Sequence, residues 1–443
     1  MSDLIVIGGG AAGVMAAAAA KEGGASVTLV QRAPGASALS SGAIDFAGDP
    51  GLVPGRAMQE NPSLQANLAA QLNHNPWHPF HQMAAEYGAP EAKAGHLLRG
   101  LEVACALIKD RGGLALEGDG RENSARITPL GTFKFAALAQ SGCGAFSADE
   151  LRAMRPVFVG FEGLPGTVAA RQAVVFDHVR GAKEGTSRSV EIPLAEALGP
   201  NSNAIGLASL FDDENYAREV AKKLAAAVAD FKDATHLVLP PVLGIENTGR
   251  ARAIFNEEVG PEVIETLAVP PSAPGVRFDL ALQRVIKALD IEVLAGDVIG
   301  VECARGAVGS LKVRLASGEE KALRAPRYVL AGGKFIGGGI EKEGALRESL
   351  FGLPVFWKDQ RFVSVTNEEI FDRRFLRSHA AFCAGLRVDA KMRPVGEDGA
   401  AIYENLHAAG SVLGGYDAVA GPGGLGVALV SGYVAGQHAG GGA

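Results

Sequence analysis

The turn Gly8-Gly9-Gly10-Ala11-Ala12-Gly13 constrains this chain more than any other feature. It follows the apolar run 3–7 (DLIVI) and opens the alanine-rich stretch 11–22, which reads as a helix. Gly8 permits the tight turn, Gly10 lets backbone approach a pyrophosphate, and Gly13 lets helix and strand pack together. The helix start then offers N–H donors and a positive dipole end to an anion. Gly23-Gly24 stops the helix and residues 25–30 (ASVTLV) return as a strand. The result is a βαβ unit of about 30 residues, the size of a dinucleotide-binding half-fold. A bare GxGxxG is only a turn; the strand before it and the helix after it make it a phosphate site.

An acid normally follows the second strand and holds the ribose hydroxyls of an adenosine. Here Gln31-Arg32 stands in that place. The Gln31 amide oxygen can still accept, and Arg32 can meet a phosphate. Three nucleotides stay open at this point: FAD with a weaker ribose grip, NADP, or FMN.

The chain has 443 residues, 47% of them hydrophobic, which is enough for two or three packed domains. Its net charge is −7 and it has no basic tract, so no nucleic-acid partner is expected. The four cysteines, Cys105, Cys143, Cys303 and Cys383, form no CxxC pair. No metal or cluster site is therefore expected, and a reducing compartment fits. No apolar run approaches the ~18 residues of a membrane span, and the N-terminus lacks a basic leader. The expected location is the cytoplasm, with contact at the inner membrane only through a partner subunit.

The fold expected is α/β: a Rossmann-type FAD/NAD(P)-binding domain with an inserted second α+β substrate or capping domain. The flavin-binding part would comprise 1–70 and 276–443, and the insertion 71–275, joined by part of 335–385. Strand-like runs at 156–160, 172–177 and 235–239 alternate with a helix-like run at 212–230 in the insertion. A helix at 278–289 and strands at 291–295, 298–303, 310–315 and 327–331 follow, with a hairpin turn at Ser317-Gly318.

Further segments bear on the cofactor. Ser40-Ser41-Gly42 places hydroxyls and bare backbone just after the second strand; the plain alternative is a solvent-facing loop. Tyr328–Gly333 ends a strand in small residues, Ala331 and Gly332, past which a cofactor can run. Residues 404–429 carry a strand into Gly410-Ser411, then a glycine loop into a helix at Gly424-Leu425-Gly426-Val427. That helix start would favour negative charge on a reduced flavin. Two such turns, one near each end of the chain, read as a flavoprotein more than as a nicotinamide dehydrogenase.

The catalytic candidates are His78 and His81, within the proline-broken segment 74–81 (HNPWHPFH). Loop histidines are the plainer reading, and metal ligation lacks a carboxylate or cysteine partner. Arg277 is a candidate anchor for an anionic substrate, against an equal case for a structural salt bridge. Thr128, in TPLGT, is a candidate substrate contact or simply a turn residue.

These segments together resemble the B-type chain of anaerobic glycerol-3-phosphate dehydrogenase. The resemblance lies in IVIGGGAAGV (5–14), SSGAID (40–45), TPLGT (128–132), FDDENY (211–216), the turn before Gly275-Val276-Arg277, AGGKFIGGGI (331–340) and ENLHAAGSVLGGYDAVAGPGGLGVA (404–428). It implies oxidation of sn-glycerol 3-phosphate, or a similar small anionic substrate, to dihydroxyacetone phosphate with a flavin, FAD or FMN. It also implies a heteromer with an A-type flavoprotein subunit and an iron–sulfur membrane-anchor subunit that leads to quinone. Two other readings stay open. One is a flavoprotein of the fumarate reductase/succinate dehydrogenase kind with another substrate. The other is a non-catalytic flavin electron-transfer subunit.

Overall fold

The computed structural model describes residues 2–48, 63–166, 168–194, 202–363, 366–374, 378–417, 421 and 423–441. Its main body is a seven-stranded sheet in the spatial order Glu320–Leu323, Ala307–Leu315, Glu292–Ala304, Val27–Gln31, Leu4–Ile7, Arg327–Leu330, Leu406–Ala408. The last five pair in parallel, with Leu4 opposite Val27 on one side and Arg327 on the other. Leu4–Ile7 is buried along its whole length, as expected of a central strand covered on both faces. At the edge, Ala307–Leu315 and Glu320–Leu323 form an antiparallel hairpin whose turn uses Gly318 at φ +88°. The expected strands at 291–295 and 298–303 are one bulged strand, Glu292–Ala304.

The first helix, Ala11–Glu22, packs along the last, Gly424–Gly440. A Cβ at Gly432 or Gly436 would stand 2.2 Å from the carbonyl oxygen of Ala12 or Ala16. Only small residues allow this approach. It brings the two glycine turns from opposite ends of the chain together at the C-terminal ends of the parallel strands.

A second sheet has the order Glu262–Glu265, His236–Leu239, Pro156–Phe161, Arg188–Ile192, and all its pairs are parallel. Helices Glu214–Ala227 and Thr248–Glu258 help close its own core around Val157, Leu224, Leu237 and Phe255. The run 172–177, expected as a strand, lies in the helix Ala169–Val179. Gln172, Ala173, Phe176 and Asp177 are buried while Val174 is 52% exposed, a helical stripe that outweighs the β-propensity of the two valines.

Two expected boundaries need correction. Helices Leu64–His74 and Pro90–Asp110 send Leu68, Leu72, Leu97, Leu101 and Ile108 into the core of the first sheet. The start of 71–275 therefore belongs with the main body, and the separate cores begin near Ala125. The described residues of 335–385 also stay with the main body, through Ile340, Leu346, Leu353, Val355 and Ile370. The helix Ala273–Ala288 spans both units, with Ala273 in the second core and Phe278 and Leu282 in the first. No helix among the described residues is long and apolar enough to cross a membrane.

Candidate functional site: a nucleotide cleft at the sheet edge

The C-terminal ends of the parallel strands open into a cleft of about 1040 Å³. At its centre the strand Leu4–Ile7 ends in Gly8, whose φ of +109° only glycine adopts easily. Gly8 N–H donates to the Val30 carbonyl at 2.9 Å and Ala331 N–H to the Ile7 carbonyl at 2.8 Å, which locks the turn to both neighbouring strands. Gly10 caps the first helix without a side-chain hydrogen bond, and no acid lies in the first turn. The first N–H groups of the helix thus face the cleft with a positive dipole end and no internal anion.

The residues present fit a phosphate-bearing nucleotide. Ser37 Oγ is buried without a hydrogen-bond partner, and a Cβ on Gly10 would lie 3.7 Å from it. Asp45 Oδ1 is also buried and unpartnered, while Oδ2 accepts from Lys134 Nζ at 2.6 Å. Buried polar atoms are normally satisfied, so these mark where a ligand completes the structure.

Most of the sequence-derived cofactor residues converge here. Gly8, Gly10, Ala11, Ala12 and Arg32 line the cleft, as do Ser40 and Ser41. Ala331 and Gly332 form another part of the wall, and Gly410, Ser411, Gly424 and Leu425 close the far end. The Gly410 N–H donates to Ser431 Oγ at 2.8 Å, tying this loop to the last helix.

Five of the expected cofactor contacts serve the frame instead. Gly13 packs on the Gly8 carbonyl, where a Cβ would stand at 1.8 Å. Gly42 shapes a turn at φ +98° against Pro274. Gly426 packs on Asp45 and Phe46, and Val427 is fully buried in the core. Gln31 folds under the turn: a Cβ on Gly9 would stand 2.4 Å from its Oε1, which is buried without a partner.

An acid from another strand stands near the position where the second strand lacks one. Ala295 pairs with Gln31, so Asp297 arrives beside the end of the second strand and lines the cleft. Its carboxylate lies 3.5 Å from Arg32 Nη1. Nothing in the linear spacing of the first 35 residues points to it. Lys334 is a second lining residue that sequence reasoning missed.

The catalytic and substrate candidates lie elsewhere. His78 is buried off the cleft wall between Phe80 and Tyr416, and its Nδ1 accepts from Phe80 N–H at 3.3 Å. His81 Nε2 donates to the Leu72 carbonyl at 2.8 Å. Their segment clamps a loop: Asn75 Nδ2 donates to the Gly415 carbonyl at 2.7 Å, and Trp77 Nε1 to Asp359 at 3.0 Å. The two prolines that break the helical pattern let the chain fold over that loop.

Thr128 bonds Thr132 Oγ1 at 2.7 Å at the base of a hairpin turn. Arg277 is buried and forms a bidentate pair with Glu265, at 2.7 and 3.0 Å, while Nε donates to the Gly244 carbonyl. Its donors are committed inside the protein, so it is a structural ion pair and not a substrate anchor.

Burial pushes the His78 imidazole down to about 3, with His81 adding a smaller effect in the same direction. In the unfolded chain it takes a proton near its ordinary value of 6.5. The unfolded state therefore binds more protons between these values, and His78 lowers stability as pH falls from 6.5 towards 3. His78→Asn, which keeps an acceptor for Phe80 N–H, is expected to flatten the acid side of the stability profile. Urea midpoints at about pH 5 and 7 check this; an unchanged difference between them refutes it.

The family model described as an FAD binding domain matches residues 3–242 and 315–427. The protein is accordingly a flavoprotein of the FAD-binding-domain family, an α/β oxidoreductase class. Within it, the chain belongs to the family of B-type chains of anaerobic glycerol-3-phosphate dehydrogenase. It is 31% identical over 318 residues to the probable B-type chain of that dehydrogenase in Halobacterium salinarum, covering 70% of this chain and 71% of that one. It is 27% identical over 438 residues to the corresponding chain of Pectobacterium atrosepticum, covering 97% and 96%. Among solved structures, a 3-ketosteroid-delta4-(5alpha)-dehydrogenase from Rhodococcus jostii RHA1 covers 99% of this chain and 96% of its own at 14% identity, with a TM-score of 0.42.

Proposed function

We propose that this chain binds FAD and oxidises sn-glycerol 3-phosphate to dihydroxyacetone phosphate as one subunit of a heteromer. The observation that carries the cofactor choice is the extent of the cleft on both sides of the first helix start. One arm reaches Arg32 and Gly296–Val298, and the other reaches Ser411 and Leu425. FMN ends at its single phosphate and would leave one arm empty; FAD has an adenosine to place there. Gly10, Ala11, Ala12 and Ser37 would hold the pyrophosphate, and Arg32 with Asp297 would face the adenosine side. Ser40, Ser41, Ser411 and the helix start at Gly424–Leu425 would meet the flavin side.

Bound flavin supplies a two-electron acceptor able to take hydride from carbon. The chain's own work is to hold the alcohol in place, exclude water and receive its hydroxyl proton. Lys134, paired with Asp45 of the cleft wall, would supply positive charge for a doubly charged phosphate ester. The membership of the relatives in a named multi-subunit dehydrogenase supports the substrate and a heteromer with an A-type flavoprotein and an iron–sulfur anchor. Electrons would leave the reduced flavin through a partner towards quinone.

The purified chain is expected to carry FAD, identified by the mass of the released cofactor. Its visible bands are expected to bleach when glycerol 3-phosphate is added without oxygen. Release of FMN alone overturns the cofactor choice. A yellow protein that stays oxidised overturns direct substrate oxidation and leaves electron relay.

A further inference from the structure

Lys334 follows Ala331–Gly333 at the end of a central strand and stands on the wall of the cleft. It is only 7% exposed. Its Nζ donates to the Phe382 carbonyl at 2.7 Å and lies 5.9 Å from the centre of the Tyr416 ring. Its hydrogen-bond partner is thus a neutral main-chain oxygen rather than a carboxylate. Lysines buried for structural reasons are normally held by an acid, because an ammonium loses its hydration on burial.

The surroundings are built from several elements. Asp417 is near enough to act electrostatically on Lys334, and Ser378 Oγ links it to Cys383, donating to Asp417 Oδ2 at 2.8 Å and lying 3.1 Å from Cys383 Sγ. Lys358 is near enough to Cys383 to favour its thiolate electrostatically. Behind the Tyr416 ring, the Tyr416 hydroxyl and His78 Nε2 are both buried without hydrogen-bond partners. Glu348 shares the cleft wall, but its carboxylate is turned onto the amides of Leu350 and Phe351 at 2.9 and 2.7 Å. Burial pushes the Lys334 ammonium down to about 8, against the opposing pull of Asp417.

We propose that Lys334 is the catalytic base, whose neutral amine takes the C2 hydroxyl proton of the substrate alcohol. The inference rests on the dehydrogenase reading above. The O–H bond breaks, its proton moves to Nζ, and the freed electron pair becomes the second C–O bond. The C2–H bond breaks with both electrons, which leave as hydride to the bound flavin. One proton then returns from the ammonium to solvent. A lysine that only anchors the substrate phosphate has to stay charged, and arginine can replace it; a base has to lose its proton, and arginine cannot.

The test uses the flavin-loaded chain and follows single-turnover bleaching by glycerol 3-phosphate without oxygen, across about pH 6 to 10. The wild-type rate is expected to rise about tenfold per pH unit and level off above about pH 8. Lys334→Met and Lys334→Arg are expected to lose about 10²–10⁴-fold in rate with the bound-flavin spectrum retained. Lys334→Ala is expected to recover rate in proportion to added ethylamine.

A measurement on wild-type protein does not depend on any variant folding. Trinitrobenzenesulfonate labelling of Lys334, located by peptide mass, is expected to have its midpoint near pH 8 and to be blocked by dihydroxyacetone phosphate. A bleaching wild type beside a Lys334→Arg variant of equal rate overturns the base alone. So does labelling that the product fails to block. A wild type that never bleaches overturns the dehydrogenase reading, and the base with it.

Discussion

Replacing Arg277 by leucine is expected to lower the free energy of unfolding by about 3–5 kcal/mol, the range for breaking a buried ion pair from one side. Arg277 is 2% exposed and Glu265 is fully buried. The guanidinium gives two donors to the carboxylate and a third to the Gly244 carbonyl. Glu265 Oε1 also accepts from the amide of Leu243, and the Glu265 N–H donates to the Gly142 carbonyl. The pair thus joins the second parallel sheet to the helix that carries the chain back to the main body. Without Arg277 the carboxylate stays buried, charged and half-satisfied. Replacing both residues by apolar ones is expected to restore much of the loss, because no orphan charge remains. Chemical denaturation of the single and double variants checks this. A single variant of normal stability with a raised KM for glycerol 3-phosphate would return Arg277 to the substrate.

A second large effect is expected from two glycines three residues apart. Gly13→Ala places a methyl 1.8 Å from the Gly8 carbonyl oxygen, a main-chain atom locked between two strands. The turn has to open, at a cost of about 3 kcal/mol or more, and flavin is lost with it. Gly10→Ala meets nothing closer than 3.5 Å, the Cα of Gly35. Its methyl leaves the fold intact but stands beside the helix start where the pyrophosphate has to come. Stability is expected to stay within about 0.5 kcal/mol of wild type. Flavin affinity is expected to fall by roughly 30- to 150-fold, the equivalent of about 2–3 kcal/mol of charge-assisted hydrogen bonding. Thermal unfolding of the apoprotein and flavin titration separate the two variants. Equal losses of stability in both would refute the distinction.

Much of the frame was legible because its causes are local. A strand, a glycine turn and an alanine-rich helix within 22 residues leave few alternatives, and the turn at 410–427 repeats the pattern. Less could be read where two patterns compete, as at Gln172–Asp177, whose valines suggest a strand while its buried positions follow a helical stripe. The histidines misled for a similar reason. A residue type able to do acid–base chemistry carries no information about burial, and His78 is held neutral inside an aromatic pocket.

By itself, then, the sequence determined where the phosphate turn lies, that a second glycine turn accompanies it, and that the chain is an α/β flavoprotein. Those features arise from backbone constraints within a few residues: positive φ at Gly8, close approach at Gly13, and an uncapped helix start at Gly10. Only the tertiary structure decided which polar groups reach the cleft. Asp297 arrives because its strand pairs with Val27–Gln31, some 265 residues earlier in the chain. Lys334 is set against Phe382 and Tyr416 by loops that no spacing rule connects. Arg277 is withdrawn from solvent by an acid twelve residues before it. The opening turn therefore named the kind of ligand, while burial and strand pairing chose the side chains around it.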